Sequence, residues 1–309
     1  MTPQNDISVI EPISVAIDKT KTILFKPFDL GKWFTIGFCA WLTQIGRSGF
    51  NFPTHFTNPG THHHFKEFFI SNAVWLIPLF VTGFVVTIAI MITLLWLNSR
   101  GRFMFLHCVA LNKAQVKIPW EKFKNQANSL FLFRLIANII FVVSIAVFTG
   151  LTIFFVVLIT KNNIVVKFPL LFAFIFIVIV TVALAIAFVL FLKFTNDFVT
   201  PLMYLRSCSC IEAWREFLGM LTANKANFTL YLLFQMVISA AFGIIVAALV
   251  LATCCCAGLF LAIPYIGTVV VLPLLIFYRA YSLCYIRQFG PQFDVFQTQT
   301  PQIDSPLSV

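Results

Sequence analysis

Residues 130–192 read LFLFRLIANIIFVVSIAVFTGLTIFFVVLIT, then KNNIVVK, then FPLLFAFIFIVIVTVALAIAFVLFL. Each of the two apolar runs, 130–160 and 168–192, exceeds the ~20 residues that a helix needs to cross the hydrocarbon of a bilayer. A helix this apolar has no polar face to turn toward water, so only a lipid environment or a very large core can surround it. The short link between the runs carries Lys161 and Lys167, as the turn of a hairpin of spanning helices would.

Outward from this hairpin, four further blocks have the same character: 30–45, 73–97, 228–253 and 259–286. The expected fold is an all-α membrane protein with six transmembrane helices. A cytoplasmic amphipathic segment, 1–29, precedes the membrane domain of 30–286, and a polar cytoplasmic tail, 287–309, follows it. The first block is short and the last is long. Pro264 and Pro273 interrupt the last, which predicts a kink there or a start at Pro264.

The composition agrees. Of 309 residues, 60% are hydrophobic and 10% charged, against about 45–50% and about 25% in ordinary soluble domains. The mean hydropathy is +0.94, and 38 residues are phenylalanine. The net charge of +10 is scattered between apolar blocks rather than gathered into a hydrophilic domain, which excludes a nucleic-acid partner. It records orientation instead. Seventeen of the 21 Lys and Arg residues fall on one side of a six-crossing path, with only Arg47, Lys66, Lys161 and Lys167 on the other. The positive-inside rule therefore places both termini in the cytoplasm.

A repeat is also legible. Asp29, Asn128 and Asn227 each open an apolar run as a helix cap would, at two equal spacings, and Met104-Phe105-Leu106 recurs as Met203-Tyr204-Leu205 at the same offset. Asn98 has a near counterpart in Asn196. Each unit would be an interfacial amphipathic helix followed by a hairpin, giving three tandem parallel repeats. Ile13, Ala16, Ile17, Thr20 and Leu24 form the apolar stripe of the first interfacial helix, and Ile211, Trp214, Phe217, Leu218 and Leu221 that of the third. The second starts near Pro119, with Trp120 and Phe123 as anchors.

Several stretches carry a resemblance. They are Lys26-Pro27-Phe28 with Gly31-Lys32-Trp33, Ser99-Arg100-Gly101-Arg102-Phe103-Met104-Phe105-Leu106, Asn128-Ser129-Leu130-Phe131-Leu132-Phe133-Arg134, Asp197-Phe198 with Pro201 to Arg206, and Gln288-Phe289-Gly290-Pro291. Together they resemble an uncharacterised bacterial family of six-helix inner-membrane proteins. More distantly, the layout looks like the membrane domain fused to some glycerophosphodiester phosphodiesterases, without any catalytic domain of that kind. The resemblance implies a multi-pass protein of the bacterial inner membrane and no chemistry.

The residues imply little chemistry either. The apolar blocks contain no Asp or Glu, which removes the usual intramembrane coupling carboxylate and the usual acid and base of hydrolysis. No catalytic residue, cofactor or metal ligand set is expected. His62, His63 and His64, with His55, read as a solvated loop, and Cys208 with Cys210 lacks a second ligand pair of zinc spacing. The candidate site is a cytoplasmic rim that could hold lipid phosphates: Arg100, Arg102, Arg134, Asp197, Arg206 and Arg279. Asp197 is its lone acid, and the following Pro201 is expected to break the helix at about Thr200. The function read from this is a non-enzymatic protein that organises lipids or membrane partners, with a protein partner or a second copy of the chain also open. The alternative is a transporter or channel lined by Asn138, Ser144, Thr149, Gln235 and Ser239.

Overall fold

The computed structural model describes residues 7–45, 73–161, 164–253, 258, 261 and 263–296, among which the fold is helical with no named strand. The cluster His55 to His64 and the cysteines 254–256 lie outside the described residues.

Helix α1, Glu11–Phe25, starts with Pro12 in its first turn, where a missing N–H costs nothing. Ala16, Thr20 and Leu24 of its expected stripe are buried, but Ile17 faces outward together with Ile10. Helix α2, Leu30–Gln44, is capped as expected, Asp29 Oδ1 accepting the Gly31 N–H at 2.8 Å. The matching expectation for Asn128 and Asn227 fails. Helix α3 spans Ala73–Leu111, α4 Lys117–Lys122, and α5 Lys124–Lys161, so Asn128 lies inside α5. Asn227 likewise lies inside Lys225–Ala252. Ala127 N–H already donates to Phe123 at 2.9 Å and Phe228 N–H to Asn224 at 3.2 Å, so helical bonding begins before either asparagine could cap it.

Helix α6, Ile164–Phe194, runs into a π-turn, Thr195–Val199, and on into α7, Thr200–Arg206. The helix therefore does not break at Thr200. Pro201 has no N–H to donate and its ring crowds the preceding turn, and one wide turn absorbs both problems. The Thr200 N–H bonds the Thr195 carbonyl five residues back, and the Thr200 hydroxyl donates to the same oxygen at 2.9 Å.

Helix α8, Cys210–Ala223, opens with a full capping box between Ser209 and Glu212. It turns Cys210, Ala213 and Phe217 inward and leaves Ile211 and Leu218 exposed, so part of its expected stripe points away from the protein. Helix α9 is Lys225–Ala252, α10 Pro264–Val270 and α11 Leu272–Arg287. The predicted interruption of the last block is present as a 63° bend between α10 and α11, with Pro264 and Pro273 each in a first turn.

Among the described residues, four segments are long and apolar enough to cross a membrane: Pro78–Leu111, Lys124–Thr160, Phe168–Arg206 and Lys225–Ala252. The α10–α11 pair makes a fifth if the bent pair is one span. Their outer faces display Phe80, Phe172 and Met236 at 76%, 72% and 68% exposure. Continuous apolar exposure on this scale fits lipid rather than water.

The first hairpin has an unexpected register. Lys32 Nζ donates to Asn112 Oδ1 at 2.7 Å, Cys39 Sγ lies 3.9 Å from Cys108 Sγ, and Asn98 Nδ2 reaches the Thr43 and Ile45 carbonyls at 2.6 and 2.9 Å. Helix α2 is thus antiparallel to residues 98–112 of α3, not to its exposed run 78–97. Helix α10 lies on the same α2, the Tyr265 hydroxyl donating to the Phe34 carbonyl at 3.0 Å. Helix α1 follows α11, tied by the Tyr281 hydroxyl to the Val9 carbonyl at 3.0 Å and by a reciprocal Ser8–Gln288 pair at 2.8 Å each way. The N-terminal segment and the end of α11 therefore meet at one place.

The core is where these ends converge. Phe198 is fully buried, with the rings of Phe217, Phe228 and Tyr231 at 5.3, 5.2 and 5.0 Å. Tyr281 and Tyr285 close the cluster against Tyr231 at 5.5 and 4.6 Å. Such offset and edge contacts add to plain area burial.

Candidate functional site

Beside this aromatic core the structure gathers polar groups from six segments. Helix α3 brings Asn98, Ser99 and Arg102; α5 brings Arg134; α6 and the π-turn bring Lys193, Asn196 and Asp197. Helix α9 supplies Tyr231, α11 supplies Arg279, and the end of α2 supplies carbonyls. Arg102, Arg134, Asp197 and Arg279 are all buried, each 8% exposed or less. Only their cooperation makes that tolerable, because a lone buried charge is expensive.

Asn98 is the hinge of the arrangement. Its amide nitrogen donates to the α2 carbonyls, and its Oδ1 accepts from Arg102 Nε at 3.0 Å and from Arg134 Nη1 at 2.8 Å. Arg102 Nη1 donates onward to Asn196 Oδ1 at 2.8 Å, and the Asn196 carbonyl accepts from Arg279 Nη1 at 2.7 Å. Asp197 accepts from the Tyr231 hydroxyl at 3.3 Å and from the Asn196 amide at 3.4 Å, with Lys193 Nζ at 3.4 Å. Lys193 and the Tyr231 hydroxyl thus meet on one carboxylate, beside three arginines joined through Asn98 and Asn196.

The other two rim residues stand apart. The Arg100 guanidinium is held between the Trp96 and Trp120 rings, 4.7 Å from each, and donates to the Trp120 carbonyl at 3.3 Å. Arg206 pairs with Glu216 at 2.6 Å and is 47% exposed. Arg100→Gln should cost about 0.5–2 kcal/mol through the two lost cation–π contacts, read as a lower unfolding midpoint and altered tryptophan emission. Arg206→Gln should cost no more than about 1 kcal/mol, as solvent-exposed pairs do.

Sequence reasoning singled out all three buried arginines and Asp197, yet placed them on a rim. It noted Asn98 and Asn196 only as repeat markers, Ser99 only as part of a family-like stretch, and passed over Tyr231. The available signal was the asparagine itself: an amide beside an apolar block has to find partners inside the protein.

The proposed lining of a transport path does not assemble into one network. Asn138 and Ser144 donate to carbonyls of their own helix, Arg134 and Ile140, each at 2.8 Å. Ser239 accepts from Tyr278 at 3.2 Å, while Thr149 is exposed. Gln235 is buried with its Oε1 unpartnered. Burial pushes the Cys210 thiol up to about 12 and raises that of Cys208 as well, so both stay protonated at neutral pH and are poor metal ligands or nucleophiles.

Chemically, guanidinium groups do not deprotonate in proteins and offer no base. What the arrangement can do is fix helix ends and hold negative charge. Comparison with known proteins adds the following. A family model described as a family of unknown function (DUF7544) matches residues 7–286. No curated protein and no solved structure matches.

Proposed function

Since the chain belongs to the uncharacterised family DUF7544, which hands down no activity, we propose from its own geometry that it is a non-enzymatic membrane protein that organises anionic lipids at the cytoplasmic face. The observation that carries this is the gathering of three buried guanidiniums, Arg102, Arg134 and Arg279, into one network in which the described residues supply a single carboxylate, Asp197. An apolar groove of about 330 Å³ adds a place for an acyl chain; its walls include Phe242, Val246, Leu274 and Phe277, with Lys21 of α1 beside them. The outward Ile10, Ile17, Ile211 and Leu218 give α1 and α8 an apolar surface to lay against lipid.

The topology belonging to this reading is multi-pass in the bacterial inner membrane, with α3, α5, α6 and α9 as crossings, the bent α10–α11 pair as a further one, and α2 packed beyond the exposed run of α3. The charge asymmetry supports it, as does the Ser8–Gln288 pair, which keeps both chain ends on one side. A tag on the N-terminus that is reached only from outside intact cells would overturn the topology.

The functional test is native mass spectrometry of detergent-purified protein, scoring co-purified lipid. Wild type should retain anionic lipid, and a variant with Arg102, Arg206 and Arg279 all changed to Gln should lose most of it while Arg215→Gln keeps it. Bare wild-type protein, or retention unchanged in the triple variant, would sink the reading. Solute movement in liposomes with no lipid preference would favour transport instead.

A further inference from the structure

The Arg279 guanidinium has one partner, the Asn196 carbonyl on Nη1. Its Nε and Nη2 are buried and have none. These two nitrogens lie on the same edge of the planar guanidinium, the edge that grips a phosphate or carboxylate with two parallel hydrogen bonds. An entire bidentate edge of a 7% exposed arginine is therefore unpartnered within the protein. Leaving charged donors unpaired in a protein interior is among the costlier defects a fold can carry.

No nearby acid fills the edge. Asp197, the carboxylate of this network, already accepts from Tyr231, Asn196 and Lys193. A water molecule could satisfy the two donors, but an oxyanion meets both with the two parallel charge-assisted bonds for which that edge is shaped. Across the adjacent helix, Gln235 sits one turn beyond Tyr231 and is buried with its Oε1 unpartnered. Its amide oxygen and nitrogen can exchange places, so it can offer an acceptor to a protonated ligand oxygen or a donor to a charged one.

We propose that the unpartnered edge of Arg279, with Gln235 one turn beyond Tyr231 on the neighbouring α9, is the receptor for one oxyanion of the phosphate type. The inference rests on the reading that this face handles anionic lipid and names the group that is gripped. A lipid phosphate monoester and free phosphate share that chemistry. The three terminal oxygens of a phosphate can meet the Arg279 edge and a second donor together, which a carboxylate engaged by that edge cannot.

The test uses the full chain in nanodiscs of phosphatidylcholine, titrated separately with dihexanoyl phosphatidic acid, inorganic phosphate and dihexanoyl phosphatidylcholine. Binding is followed by native mass spectrometry and by the unfolding midpoint. One phosphatidic acid per chain is expected, weakened about tenfold or more in Arg279→Gln, as loss of a charge-assisted bidentate pair implies. Arg279→Lys, which keeps the charge but not the fork, should fall between, and Arg215→Gln should match wild type. Inorganic phosphate binding with the same Arg279 dependence would uphold the oxyanion site while removing the lipid from it. Binding that ignores Arg279, or equal binding of phosphatidylcholine, would overturn the site. Should Arg279→Gln fail to fold, the wild type decides alone: phosphate must raise its midpoint above that in chloride of equal ionic strength, and no rise refutes the proposal.

Discussion

Asp197→Leu should cost about 3–5 kcal/mol of stability, the range seen when one partner of a buried charge network is removed. The carboxylate is the negative centre for Lys193 and takes the Tyr231 hydroxyl from α9, so its loss uncouples two helices as well as removing the negative charge beside Arg279. Unfolding in detergent followed by circular dichroism would show the midpoint falling. Asp197→Asn should cost less, because the amide still accepts from Tyr231. The double variant Asp197→Leu with Arg279→Met should recover part of the loss, because apolar groups of similar volume replace a buried ion cluster at little cost. A double variant as unstable as the sum of the two singles would mean that the charges do not interact.

This also bears on what a phosphate ligand would do. Anything that binds the folded chain and not the unfolded one adds stability by mass action. Phosphate should therefore stabilise wild type and do so more strongly in Asp197→Asn, where the negative charge beside Arg279 is gone. The same carboxylate both steadies the empty network and limits how tightly an anion is held.

How much of this was legible in the sequence depended on whether a residue's environment was set locally. The runs at 130–160 and 168–192 are apolar on every face, so no tertiary partner was needed to read them as helices fit for lipid. Asp29 could be read as a cap because the bond it makes, to Gly31, is two residues away. The end of α3 could not. Asn98, Ser99, Arg100 and Arg102 look like the start of a solvated loop, yet the helix continues to Leu111 because each of them finds a partner on another segment. For the same reason the rim became a buried network: Arg102, Arg134 and Arg279 meet through Asn98 and Asn196, at sequence separations no periodicity reports. The π-turn had a local cause in Pro201, but proline allows either a break or a wide turn, and the packing of Phe198 and Tyr204 on both sides decides for continuity.

Gly101→Val should be the second most damaging substitution, at about 1–3 kcal/mol from overpacking. A Cβ at residue 101 would stand 2.5 Å from the Leu42 Cβ, 3.0 Å from the Leu42 carbonyl carbon and 3.2 Å from the Thr43 nitrogen. Two of these neighbours are backbone atoms of α2, which no rotamer change can move aside. Helix α2 must therefore retreat from α3 as a body, and with it go the carbonyls of Thr43 and Ile45 that orient Asn98. Asn98 in turn positions Arg102 and Arg134, so a methyl-sized intrusion among apolar groups is expected to loosen the charged network next to it. Maleimide labelling reads this directly. Cys39 and Cys108 face each other across the α2–α3 contact and are fully buried, so they should resist modification in wild type and react in Gly101→Val. Protection retained in the variant, with an unchanged midpoint, would mean that the close approach of α2 is not what holds Asn98 in place.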